Sequence, residues 1–209
     1  MVSKNGCFIV FEGINGSGKS TQISLLKEHI EEHSINCMTT MEPSNGPIGT
    51  LLRQFLSGRI KGEETTLTAL FAADRLDHLN NPVNGICKLL EDGIAVISDR
   101  YVFSNYAYQS VSVPLEWIMK CNEMANETVR PDCHIFIDVA PETAMDRVSK
   151  GRHQTDIYET LDRLTDVRER YLDLIHRMED VENIIIIDGN RPEKEIADDI
   201  WAKVCHYFV

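Results

Sequence analysis

Short apolar runs alternate with long amphipathic stretches along this chain. The runs predict strands at Cys7–Phe11, Asn36–Thr40, Ile94–Ser98, His134–Val139 and Asn183–Ile187. Helical periodicity covers Lys19–His33, Pro47–Leu56, Glu64–Glu91, Pro114–Thr128, Pro141–Lys150, Ile157–Met178 and Pro192–Tyr207. Several of these open with Pro in the first turn, where its missing N–H would have no partner anyway. Runs such as Ile184–Ile187 are uniformly apolar rather than alternating, which implies burial on both faces. The expectation is a single α/β domain over residues 1–209, with a five-stranded parallel sheet between layers of helices.

Composition narrows the partners. The 209 residues include 21 Lys+Arg and 33 Asp+Glu, a net charge of −12, with 43% hydrophobic and 26% charged positions. A chain of this length buries about 70% of its unfolded surface and reads as globular rather than disordered. The acidic balance argues against nucleic acid or an anionic membrane as main partner, but leaves room for a small anionic ligand beside local cations. Cys7–Phe11 is too short for the apolar core of an export signal and meets Glu12 at once. No run approaches the roughly 18 apolar residues that span a bilayer. Cys7, Cys37, Cys87, Cys121, Cys133 and Cys205 show no paired spacing, so the expected setting is a reducing cytoplasm.

The first strand runs into Gly13-Ile14-Asn15-Gly16-Ser17-Gly18-Lys19-Ser20, a G-x-x-x-x-G-K-S phosphate loop continued by Thr21. Glycines allow the tight turn that aims successive N–H groups at phosphate oxygens, and the following helix adds its positive end. Lys19 is placed to reach the β- and γ-phosphates of a nucleoside triphosphate, and the Ser20 hydroxyl to hold Mg²⁺. Guanine-nucleotide switches need D-x-x-G, and no Asp here has Gly three positions on. Leu56-Ser57-Gly58 resembles a fragment of a transporter ATPase signature but reads as a plain helix end.

The third strand ends in Asp99-Arg100-Tyr101. An Asp at the carboxyl end of a neighbouring parallel strand suits the organisation of Mg²⁺, and an adjacent Arg suits a second phosphate. Ser104-Asn105-Tyr106-Ala107-Tyr108-Gln109 follows, with Asn105, Tyr108 and Gln109 sharing a helical face. Taken by themselves, these charges could simply end a strand, and Tyr108 could be core.

Together the motifs resemble the thymidylate kinase family of P-loop nucleoside-monophosphate kinases. The resemblance is carried by Phe11–Gln22, Glu42-Pro43, Pro47-Ile48-Gly49 leading to Arg53, and Phe71-Ala72-Ala73-Asp74-Arg75. It continues through Asp99-Arg100-Tyr101 with Ser104 and Ala107-Tyr108-Gln109, and Arg130-Pro131-Asp132. It implies a P-loop NTPase-type three-layer fold with a short lid near residues 147–159, and ATP- and Mg²⁺-dependent phosphorylation of dTMP to dTDP. Phe71 would stack on thymine and Arg75 bond its carbonyl edge, although a Phe and an Arg read first as a core residue and an ion-paired one. Arg53 and Arg100 would hold the acceptor phosphate, with Glu42 and Asp99 ordering cations and waters. Ser104 belongs to the same acceptor site, where Asn105 and Gln109 would lie against the base and Tyr108 beside the sugar. Arg147, Lys150 and Arg152 match the family's basic lid, with Arg152 meeting charge during transfer, and Arg191 matches its adenine-side loop. A homodimer through the Glu64–Glu91 helix is also implied.

The chain departs from the family pattern in places. Asn15 stands where an acidic residue is usual, Met41 and Ser44 flank Glu42-Pro43 where an Arg is frequent, and Ile157 replaces a common lid Arg. Two other readings stay open: a kinase for another nucleoside monophosphate or a deoxynucleoside, and a nucleotide-binding switch with little turnover. Lys19, Arg53, Arg75, Arg100, Arg147, Lys150 and Arg152 are expected in one cleft, so the remaining surface is more acidic than the average.

Overall fold

Phe8, Ile9, Val10 and Phe11 expose no surface, which puts the first strand at the centre of the molecule. The computed structural model describes residues 4–151, 157–158 and 160–208. Strands β1 (Phe8–Glu12), β2 (Cys37–Met41), β3 (Ala95–Asp99), β4 (Cys133–Asp138) and β5 (Ile184–Asp188) pair in the order β2-β3-β1-β4-β5. Every pairing is parallel. Burying side chains of the β1 type stabilises by about 1.5–3 kcal/mol each, so this strand anchors whatever its carboxyl end carries.

Helices α1 (Lys19–Glu32), α2 (Pro47–Leu56), α3 (Glu64–Asn80), α4 (Ile86–Glu91), α5 (Val102–Gln109), α6 (Leu115–Cys121), α7 (Glu123–Thr128), α8 (Pro141–Gly151), α9 (Leu161–Met178) and α10 (Glu193–Val204) surround the sheet. This is the α/β architecture of P-loop NTPases. The chain leaves β1 toward β2 and β3 on one side, then crosses to β4 and β5 on the other. Such a switch of direction opens a crevice at the carboxyl ends of the central strands, where ligands of open α/β sheets sit.

Several expectations need correction. The Glu64–Glu91 helix is two helices, because Pro82 cannot continue the first and Asn81 Oδ1 accepts from the Val83 and Asn84 N–H groups instead. Pro114–Thr128 also divides, at the fully buried Asn122. The helix expected from Ile157 starts at Leu161, where Thr160 caps it by accepting from the Arg163 N–H. β5 is not buried on both faces: it is an edge strand, and Ile186 is exposed.

Among the described residues no helix is long and apolar enough to cross a membrane. All six cysteines are free. Burial pushes the Cys7 and Cys133 thiols up to about 12 and Cys37 to about 11, which makes them poor nucleophiles.

Candidate active site

The loop from Gly13 to Gly18 joins β1 to α1 with φ of +143° at Gly13, +82° at Gly16 and +97° at Gly18. A Cβ at Gly16 would stand 2.3 Å from the Ala144 carbonyl oxygen, so sterics and backbone angle both require glycine there. Lys19 opens α1 and is buried, its Nζ donating to the Gly13 and Ile14 carbonyls at 3.1 Å each. The ammonium therefore folds over the loop whose N–H groups would cradle phosphate. Beside it, Ser20 Oγ donates to Asp99 Oδ2 at 3.3 Å, while Asp99 Oδ1 is buried without a hydrogen-bond partner. A hydroxyl and a carboxylate with an unsatisfied oxygen form a hard-oxygen donor pair that fits Mg²⁺. No cluster of three or more His, Cys, Asp or Glu suited to a metal occurs among the described residues. A Mg²⁺ bound here would rely on Ser20, Asp99, phosphate oxygens and water.

Arg100 follows at the end of β3 in a left-handed conformation, φ +76°, uncommon for a side-chain-bearing residue and the kind of strain found at functional sites. Its Nη1 donates to the Gly13 carbonyl at 3.1 Å and Ser104 Oγ at 2.9 Å, and reaches Tyr171 Oη at 3.3 Å. Its Nη2 donates to Asn15 Oδ1 and to Tyr108 Oη at 3.1 Å, and the guanidinium lies 4.8 Å over the Tyr108 ring. These acceptors are neutral. Behind them Glu12, fully buried at the end of β1, accepts from Ser104 Oγ at 2.5 Å, Tyr171 Oη at 2.9 Å and the Tyr101 N–H at 2.9 Å. Burial raises the Glu12 carboxyl above the usual carboxylate range, against the pull of Ser104, Arg100 and Tyr171.

At the far end of the cleft, Phe71 and Arg75 lie one turn apart on α3, with Arg75 1% exposed. Arg75 Nε donates to Glu42 Oε2 at 2.8 Å and Nη2 approaches the same oxygen at 2.6 Å; Nη2 also donates to the Tyr101 carbonyl, and Nη1 to Asn122 Oδ1. A polar chain continues from Asn122 Nδ2 to Asn105 Oδ1, from Asn105 Nδ2 to Gln109 Oε1, and from Gln109 Nε2 to Tyr158 Oη. Arg53 donates to the Pro43 and Ser44 carbonyls at 3.0 and 2.7 Å, and Asp74 holds Ser44 through its N–H and hydroxyl.

One cavity of about 850 Å³ gathers these groups. It is lined by the expected site residues from Asn15 to Thr21, by Glu42, Arg53, Phe71, Arg75, Asp99 and Arg100, and by Ser104, Asn105, Tyr108, Gln109, Arg147 and Arg191. Gly13 and Lys150 are not among the lining residues, Lys150 being exposed in the last turn of α8, and Arg152 falls outside the described residues. Arg147 donates to the Gly189 carbonyl at 3.0 Å and toward Ser17, and Arg191 is paired with Asp199 at 2.6 Å. Arg75 matches its ion-paired reading as well as its place in the cleft, and Glu42 spends one oxygen on that pair. Sequence reasoning missed Glu12, Asn122, Tyr158 and Tyr171. For Glu12 a signal existed: a carboxylate closing a wholly apolar strand.

The thymidylate kinase family model matches residues 11–200. The chain is 36% identical over 202 residues to a thymidylate kinase of Symbiobacterium thermophilum, covering 92% of this chain and 90% of that protein. It is 38% identical over 192 residues to a probable thymidylate kinase of Methanocaldococcus jannaschii, covering 90% and 89%. Against a probable thymidylate kinase of Methanobrevibacter smithii it is 36% identical over 206 residues, covering 96% and 95%. With the phosphate loop, the braced arginine and the second subsite in one cleft, the chain belongs to the thymidylate kinase family of ATP-dependent nucleoside-monophosphate kinases.

Proposed function

We propose that this chain transfers the γ-phosphoryl group of ATP to the 5′-phosphate of dTMP, giving ADP and dTDP. One observation carries the reading: Arg100 is braced at the junction between the phosphate loop and a pocket walled by Phe71, Arg75 and the Asn105–Gln109 face. Lys19 and the loop N–H groups hold the donor phosphates. Arg100 and Arg53 hold the acceptor phosphate, one of whose oxygens bonds to the γ-phosphorus as the bond to ADP breaks. Transfer needs alignment and charge compensation more than covalent help from the protein. Ser20 and Asp99 would hold Mg²⁺, which neutralises phosphate charge when bound. Phe71 stacks on the base, and Arg75 with Asn105 and Gln109 reads its edge. Tyr108 lies beside the sugar, and Arg147 and Arg191 flank the adenine side. Arg152 is assigned to charge compensation from the lid.

The outer face of α3 bears a shallow groove lined by Ala69, Leu70, Ala73 and, from α6, Trp117, which is the surface assigned to a homodimer. The place of action assigned is the cytoplasm. A coupled assay of ADP release with dTMP, dUMP, UMP, CMP and AMP tests the acceptor. dTMP is expected to give the highest kcat/KM of the panel. ADP release no faster with dTMP than in buffer overturns the reading, and a nucleotide switch would give that result.

A further inference from the structure

Two buried polar atoms without hydrogen-bond partners face each other behind the base pocket. They are Glu42 Oε1 and His78 Nδ1, 3.5 Å apart. His78 sits on α3 almost one turn beyond Arg75, its side chain 10% exposed, and its Nε2 lies 2.7 Å from Thr40 Oγ1 on β2. The other Glu42 oxygen receives Arg75 through both Nε and Nη2. Leaving either orphan unmade would cost about 1–3 kcal/mol, so a hydrogen bond between them is the arrangement that satisfies both.

We infer that His78 is a positioning residue for acceptor recognition, holding Glu42 so that Glu42 aims Arg75 at the base. The Thr40 hydroxyl donates to Nε2, which leaves the proton on Nδ1 for Glu42 Oε1. Glu42 then has one oxygen committed to His78 and the other to Arg75, which restricts rotation of its carboxylate plane. Arg75 is further tied to Asn122 and the Tyr101 carbonyl, so its remaining freedom is set largely by Glu42. A carboxylate with a free oxygen would hold the guanidinium less firmly in the orientation it presents to the pocket. The inference rests on Arg75 reading the acceptor base.

The test is steady-state kinetics of the whole chain and its His78→Leu, His78→Asn and His78→Gln variants, varying dTMP at saturating ATP and the reverse. His78→Leu is expected to raise KM for dTMP about tenfold, the loss of one charge-assisted hydrogen bond, with kcat and KM for ATP within about twofold. Asn places an amide N–H where Nδ1 stood and is expected to restore most of the loss. Gln reaches the Nε2 position instead and is not. An unchanged KM for dTMP in His78→Leu, a parallel rise in both KM values, or equal behaviour of Asn and Gln overturns the inference. If His78→Leu fails to melt cooperatively, the Asn and Gln pair decides. Wild-type protein that ignores dTMP overturns the acceptor reading itself, a result distinct from any difference among the variants.

Discussion

A buried carboxylate and a cationic side chain divide the work at the centre of the cleft. Glu12 is linked to Arg100 through Ser104 and Tyr171, whose hydroxyls bridge the two. On the proposed function, that indirect arrangement leaves the guanidinium its charge for a phosphate while restricting its motion. Tyr171→Phe removes a hydroxyl that serves Glu12, Ser104 and Arg100 together. Urea unfolding is expected to show a loss of about 1–3 kcal/mol, and kcat is expected to fall while KM for ATP holds. Unchanged stability and kcat would mean that the hydroxyl braces nothing. The motif residues Lys19, Asp99 and Arg100 were legible because their spacing is local. Tyr171 was not, since it is 159 positions from the carboxylate it serves and sits in an ordinary amphipathic pattern.

At the scale of elements, the parallel strands were legible to within one residue, because continuous apolar runs have few alternatives at that length. Helix breaks were harder. Pro82 marked one plainly, yet the periodicity of the flanking residues ran across it. The break at Asn122 has no comparable sequence signal, and its reason is tertiary: the side chain is fully buried between Arg75 and Asn105. The short helix α5 was visible only as the shared face of Asn105, Tyr108 and Gln109, yet all eight of its residues are buried. Asn122→Leu keeps the volume but strips the partners from Arg75 Nη1 and Asn105 Oδ1. Leaving those groups unsatisfied is expected to cost about 2–4 kcal/mol in urea unfolding and to raise KM for dTMP. A cost within error of zero would show that the polar chain is not structural.

Over the whole molecule, the net charge of −12 describes the envelope and not the cleft, where Lys19, Arg53, Arg100 and Arg147 collect and Arg75 is neutralised by Glu42. Acid stability is governed in part far from this cleft. His134, on β4 and stacked on Phe103, is pushed down to about 3 by burial. Below the ordinary histidine value of about 6.5 the unfolded chain takes up this proton and the native state does not, so stability falls by about 1.4 kcal/mol per pH unit from this group. His134→Phe is expected to remove that contribution, so that unfolding free energies at pH 7 and pH 5 diverge less than in wild type; parallel profiles would contradict it. The central claim is that Arg100 grips the acceptor phosphate while the phosphate loop binds ATP independently. Arg100→Ala, assayed for dTMP-dependent ADP release alongside equilibrium ATP binding, tests it most directly. The account predicts turnover reduced by about 10²–10³-fold, the scale of losing one preorganised charge donor, with ATP binding retained. Equal loss of turnover and ATP binding, or undiminished turnover, would contradict it.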